Sequence, residues 1–208
     1  MARYLSVHPD DPQPRFVAQA AAVLREGGVI ALPTDSCYAL GCALGDKDAL
    51  ERIRQIRGVD DRHHLTLMCR DLSEIAQFAR VDNAQYRLLK ATTPGSYTFI
   101  LEGTKELPRR VLHPKRKTIG LRVPAHRVAQ ALLAELEGPL LTSTLILPGD
   151  ETPLTEGWEI QDRLDDHLEL ILDGGYCGTE PTTVVDLTEL PPTLVRAGRG
   201  DLAPFAFE

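Results

Sequence analysis

The sequence predicts an open, twisted α/β sheet of mixed parallel and antiparallel strands with helices packed on it, residues 1–208 forming a single domain. Three observations carry that expectation. Apolar segments of helical period alternate with short β-rich runs along most of the chain. Two groups of strands, YTFIL with TIGLRV, and LELIL with TTVVDL and TLVRAG, follow one another without an intervening helix. Links so short exclude parallel crossovers, so part of the sheet is antiparallel. No G-x-G-x-x-G or Walker loop follows the first apolar strand, which argues against a dinucleotide fold and a P-loop.

The elements follow in order. DDPQPRFVAQAAAVLREGG opens with acids and prolines, sets Phe16, Ala20, Val23 and Leu24 on one face, and reaches Gly27 where a C-terminal cap belongs. VIAL is a strand that stops at Pro33, which cannot donate to a sheet ladder. A helix from Asp46 turns Leu50, Ile53 and Ile56 inward and ends at Gly58, and LTLMC is the next strand. Two helices then open with capping-box spacing, Asp71 with Glu74 and Asp82 with Gln85. The turn TTPGS introduces the strand YTFIL, and TIGLRVP reads as another. A helix from Ala125 to about Glu137 buries Val128, Leu132 and Leu136 before Gly138 and Pro139. LLTSTLIL, LELIL, TTVVDL and TLVRAG complete the strands, with a helix around Ile160 and Leu164 between the first two. There is no internal repeat and no low-complexity segment.

At 208 residues the chain is long enough to bury a core without staples. Its 43% hydrophobic and 25% charged residues exclude a disordered or fibrous protein. MARYLSVHPDDPQPR has no apolar run of signal-peptide length and no stretch approaches a membrane span, so a cytoplasmic protein without a membrane partner is expected. Cys37, Cys42, Cys69 and Cys177 lie in or beside apolar runs without a paired ligand spacing; they are expected as buried reduced thiols, with no metal held by protein side chains. The net charge of −7 opposes a protein that coats nucleic acid by its overall field. Its distribution is uneven, because RRVLHPKRK carries five cations and no acid, whereas Asp150 to Asp173 holds nine acids against Arg163 alone.

Hydroxyls and arginines collect at strand ends. Thr34 and Ser36 follow VIAL, Thr118 and Arg122 flank IGL, Thr142, Ser143 and Thr144 lie in LLTSTL, Thr182 and Thr183 open TTVVDL, and Arg196 ends TLVR. Each alone reads as an ordinary strand threonine or surface arginine. Together, at the crevice formed by strand ends, small hydroxyls and bidentate guanidinium groups suit an anionic ligand, a nucleotide with something small beside it.

PTDSCYALGC resembles the PTDTVYGLG signature of the YrdC family of threonylcarbamoyl-AMP synthases, with Ser36 at the second threonine. TTPGSYTFIL is similar to the family's P-G-P-x-T-x-I-L, IGLRVPAH to V-x-V-R-x-P, TTVVDL to S-T-V-V-D and VRAG to R-x-G, so the resemblance covers nearly the whole chain. RKTIGLRVP and GGYCGTEPTTVVDL look like the YciO branch. Such synthases combine threonine, bicarbonate and ATP into threonylcarbamoyl-adenylate and pyrophosphate, the first half of threonylcarbamoyladenosine formation in tRNA. The resemblance implies that Ser36, Arg122, Thr142 and Thr182 face the threonine, and that Arg57, His63, Thr118, Thr144 and Arg196 face the nucleotide. It implies ATP as substrate with Mg²⁺ on its phosphates, and no tightly bound cofactor.

The chain departs from the pattern in places. The K-x-R after the second helix is Arg57, Gly58, Val59; the Asn or Lys before Pro-Leu is His63, followed by His64 and Leu65; a later histidine falls on Met68; and S-A-N-x-S-G is Thr144 to Gly149, with Ile146 in place of asparagine. Losing an arginine beside a triphosphate removes a charge-assisted contact, about 2–5 kcal/mol if buried. Hence two readings: a nucleotide-binding enzyme similar to threonylcarbamoyl-AMP synthases, or a binder of tRNA or double-stranded RNA with little synthase activity. Arg52, Arg54, Arg57 and the cations Arg109, Arg110, Lys115, Arg116 and Lys117 would line the basic face of the second. Cys37 is not a nucleophile candidate, because no general base is placed beside it.

Overall fold

Helix boundaries fall where capping chemistry sets them. The computed structural model describes residues 1–207. Helix α1 (Pro14–Arg25) opens with proline in its first turn, where the missing N–H costs nothing, and Gly27 beyond its end adopts φ +84°. Asp46 caps α2 (Lys47–Arg57) by accepting the Ala49 amide at 2.9 Å, and Gly58 closes it in the left-handed region. Asp71 and Asp82 cap α3 (Leu72–Phe78) and α4 (Asn83–Thr92) as the spacing predicts. Of these two only α4 has the reciprocal box, since Glu74 reaches back to the Arg70 amide instead. The remaining helices are α5 (Arg127–Leu136) and α6 (Gly157–Leu164).

Ten strands form one sheet. They are β1 (Arg3–Ser6), β2 (Ile30–Leu32), β3 (Ala39–Ala43), β4 (Thr66–Met68), β5 (Tyr97–Glu102), β6 (Thr118–Arg122), β7 (Leu140–Thr144), β8 (Leu170–Asp173), β9 (Thr183–Asp186) and β10 (Thr193–Arg196), in the order β1-β8-β2-β3-β7-β4-β6-β5-β9-β10. The links β5–β6, with one 3-10 turn at Arg109–Val111, and β9–β10 hold no α-helix and join antiparallel neighbours, and the sheet is mixed, as predicted. The third such link differs. β8 and β9 stand far apart in the order, so residues 174–182 run across the molecule instead of closing a hairpin. On the way Cys177 donates its amide to the Thr155 carbonyl and its thiol to that of Thr34. Strands β1 and β3 are additions to the sequence reading: RYLS is short and half-exposed, and ALGCA merges with the polar signature before it.

Both faces of the sheet are covered. Ile30, Leu32, Leu170 and Leu172 pack with Val17, Leu24, Val128 and Leu132 under α1 and α5. Their sequence neighbours Ala31 and Ile171 go to the opposite core with Tyr38, Leu67, Phe99, Leu121 and Val185. This explains why these short strands read as continuous apolar runs.

Candidate functional site

The strand period of two turns one side of β4–β7 and β9 into a hollow. While Phe99, Leu101, Leu121, Leu141 and Val185 enter the core, Thr66, Thr98, Ile100, Gly120, Arg122, Thr142, Thr144, Thr182 and Val184 line a cavity of about 580 Å³. The cavity therefore lies along the sheet face as well as at strand ends. Its floor is low because Gly120 pairs across to Thr66 and Ile100; a Cβ there would come within 2.9 Å of the Thr98 methyl.

All nine residues placed on the threonine and nucleotide sides, Ser36, Arg122, Thr142, Thr182, Arg57, His63, Thr118, Thr144 and Arg196, line this one cavity. The turn after β2 is built on Thr34, whose hydroxyl donates to the Cys37 carbonyl at 2.6 Å and accepts the amides of Ser36 and Cys37. Thr34 is thereby consumed in folding the loop that presents Ser36. Arg122, at 6% exposure, donates from Nη1 to Ser36 Oγ at 3.3 Å and pairs through Nη2 with Asp35. Asp35 in turn accepts the Ala125 amide at 2.9 Å. Burial pulls the Arg122 guanidinium below its ordinary value, with Asp35 opposing, and its Nε has no partner among the described residues.

The other hydroxyls are oriented by the sheet. Thr142 donates to the Thr66 carbonyl at 3.1 Å, which leaves its oxygen free to accept. Thr98 and Thr182 share a hydrogen bond of 2.8 Å, and Arg196 at the rim holds the Thr182 carbonyl at 2.9 Å. Arg57, half-buried at the end of α2, donates to Ser143 Oγ at 2.9 Å and to the Thr144 carbonyl; burial lowers its pKa, and its Nε is also without a partner among the described residues. Val59 does not line the cavity, whereas Ile146 presents an apolar surface to it.

The cationic segment 109–117 is an excursion between β5 and β6. Arg109, Arg110, Lys115, Arg116 and Lys117 are all exposed, but three are engaged within the chain. Arg116 pairs with Asp186 at 2.6 Å, Arg110 donates to the Gly45 carbonyl, and Lys117 to the Pro114 carbonyl at 2.6 Å. Burial raises the Asp186 carboxyl, yet hydrogen bonds from Thr188 and Arg116 outweigh it and hold the group below its usual range. Arg52 departs from the expected basic face: it pairs with Glu169 at 2.7 Å, and neither Arg52 nor Arg54 lines the cavity.

Sequence reasoning passed over Asp35, Thr66, Thr98, His64, His113 and Glu151. Asp35 had a signal, an acid inside an otherwise apolar and hydroxyl run; the other groups reach the cavity only through strand register and loop path. The four cysteines are buried free thiols, and burial pushes Cys37 up to about 11 despite Arg122, Arg196 and Arg199 nearby. Among the described residues no group of three or more His, Cys, Asp or Glu side chains comes together as a metal site, and no helix is long and apolar enough to cross a membrane.

Comparison with known proteins fits this geometry. The family model described as Telomere recombination (Sua5, YciO, YrdC) matches residues 22–198. The YciO protein of Escherichia coli K12 is 55% identical over 205 residues, 99% of this chain and 100% of that one. A crystal structure of E. coli YciO superposes with a TM-score of 0.95 over 99% of this chain and 100% of that one. A threonylcarbamoyl-AMP synthase of Pyrococcus abyssi is 31% identical over 182 residues, 86% of this chain and 53% of that one. P. abyssi Sua5 complexed with L-threonine superposes with a TM-score of 0.86 at 28% identity, covering 94% of this chain and 57% of that one. With its motifs gathered in one cavity and its fold shared, this chain belongs to the Sua5/YciO/YrdC family.

Proposed function

We propose that the cavity holds an amino acid and a nucleotide side by side and supports threonylcarbamoyl-AMP synthase chemistry, in the service of tRNA threonylcarbamoyladenosine modification. The observation that carries this reading is the convergence of Ser36, Arg122, Thr142 and Thr182 with Arg57, His63, Thr118, Thr144 and Arg196 on one hollow of about 580 Å³. In that reaction the threonine amine and bicarbonate form a carbamate with loss of water, and the carbamate oxygen attacks the α-phosphorus of ATP while the bond to pyrophosphate breaks. The protein's share is positioning and charge neutralisation. Arg122, locked by Asp35 and Ser36, is pre-oriented for a carboxylate, and Thr142 and Thr182 offer oxygens for an ammonium or hydroxyl group. Arg57 and Arg196 stand ready for phosphate oxygens. Mg²⁺ would ride on the phosphates and neutralise them, since the cavity's hydroxyls and guanidinium groups are not a carboxylate cage.

Isoleucine at 146 puts an apolar surface at the nucleotide end, and valine at 59, outside the cavity lining, is too short to send a polar group into it where the family's longer arginine could, so turnover is expected to be slow. The test is pyrophosphate release by the purified chain with threonine, bicarbonate and ATP, omitting each in turn. Dependence on all three, with a gain in Val59→Arg, supports the reading. Silence in both proteins, together with no threonine or nucleotide binding by calorimetry, refutes it. The RNA-binding alternative draws on the cationic segment, where Asp186 neutralises Arg116 while Arg110 and Lys117, bonded to carbonyls, keep their charge.

A further inference from the structure

The nucleotide end of the cavity is lined by three imidazoles, His63, His64 and His113. His63 and His64 come from the loop between α2 and β4, and His113 from the excursion between β5 and β6. The His64 and His113 rings lie 5.0 Å apart, centroid to centroid, tilted by 41°. His113 is fixed in one tautomer: its Nδ1 accepts the amides of Lys115 at 3.3 Å and Arg116 at 3.1 Å, so the ring hydrogen sits on Nε2 as a donor.

The charged groups around this cluster come from every element that packs on it. Arg54 and Arg57 project from α2, Asp60 and Arg62 sit in the same loop as His63, Arg116 is tied to Asp186 in the excursion, and Glu151 lines the cavity from the loop after β7. Burial, then Arg57, His64 and Arg54, lowers His63, with Asp60 opposing. Burial, then His113 and Arg54, lowers His64. In the free protein both rings are therefore mostly neutral at pH 7. A phosphate placed among them reverses the electrostatic balance, because the anion favours the imidazolium form.

We propose that His63 and His64 form a proton-loading phosphate clamp, with neutral His113 donating from Nε2 beside them: the phosphate end of the ligand is seated by the His63 and His64 imidazolium groups, which acquire their charge on binding, beside the standing charge of Arg57. This deepens the reading above by giving the nucleotide side of the same site a pH-dependent grip, and it rests on that side receiving a phosphate. The sign follows from linkage. Binding raises the proton affinity of His63 and His64, so protons are taken up and the complex tightens as pH falls from about 8 toward 6, by up to about tenfold per pH unit for each proton. Once pH lies below the free-protein values, the gain ends.

The experiment is calorimetry of the full chain with inorganic pyrophosphate near pH 6, 7 and 8, in buffers of different ionisation enthalpy, which counts protons taken up. Pyrophosphate itself titrates in this range, so the informative quantity is the difference between wild type and His63→Asn/His64→Asn. Greater proton uptake by wild type, and at least about a tenfold smaller affinity gain from pH 8 to 6 in the variant, supports the clamp. Identical proton counts, or no pyrophosphate binding by wild type, overturns it. NMR titration of the wild-type imidazoles with and without pyrophosphate needs no variant to fold; pKa values that do not move upward also overturn it. Threonine titration in parallel separates the two readings: proton-linked pyrophosphate binding without any threonine binding keeps the clamp and removes the synthase reading.

Discussion

Replacing Arg122 by methionine removes the guanidinium that holds the turn after β2 to β6. Arg122 and Asp35 form a pair whose side chains are 7% and 11% exposed. Without the arginine, Asp35 keeps the Ala125 amide at 2.9 Å as its remaining side-chain contact and becomes a buried carboxylate without a counter-charge. Breaking one member of such a pair costs about 3–5 kcal/mol. Asp35→Asn leaves the opposite orphan, a buried guanidinium, at a cost of the same order. The double variant carries neither, so its loss should fall short of the sum by about 1–3 kcal/mol. Urea unfolding followed by circular dichroism gives all three values, and threonine calorimetry should show weakened binding in each variant. A loss below about 1 kcal/mol in Arg122→Met, or strict additivity in the double variant, would show that solvent screens the pair and that Arg122 does not organise the turn.

Gly198→Ala puts a Cβ 2.3 Å from the Pro181 carbonyl oxygen and 2.6 Å from the Thr182 backbone, so the segment leading into β9 must move. A loss of about 1–3 kcal/mol with weaker ligand binding is expected, against no change in Gly138→Ala, which has nothing within 4 Å. His63, His64 and His126 all lie below their ordinary value, chiefly through burial. The unfolded chain therefore binds these protons first, and stability should fall as pH drops below about 6.5; urea midpoints that do not decline on that side contradict this. Burial pushes the Cys37 and Cys177 thiols to about 11 and Cys42 to about 12, so iodoacetamide labelling near pH 8 should be slow in the native protein and fast in urea. Rapid native labelling of Cys37 would reopen its case as a nucleophile.

The fold class was legible because α1, α2, α4 and α5 carry their own start and stop signals, and because the link β9–β10 (187–192) is too short to cross over; β5–β6 (103–117) is long enough to cross and was read as antiparallel only for want of an α-helix. Strand order was not, since pairing partners far apart in the chain leave no local mark; LELIL and TTVVDL read as sequential neighbours and stand at opposite sides of the sheet. At the site, Ser36, Arg122, Thr182 and Arg196 were visible as ordered motifs. Asp35, Thr98 and His113 depend on register and loop path. Thr98 becomes a site residue because β5 pairs in parallel with β9 and brings its hydroxyl to Thr182.

The strand arrangement sets a timetable for synthesis. The single sheet neighbour of Arg3–Ser6 is Leu170–Asp173. At about 5–20 residues per second on the ribosome, that first strand waits roughly 8–30 s for its partner. For most of that interval the apolar side of the opening helix also lacks the helix at 127–136, and to its end it lacks the eighth strand. A truncated product ending before residue 127 lacks both that helix and the eighth strand and leaves this face uncovered, which makes incomplete copies of this chain natural clients for chaperones and proteases.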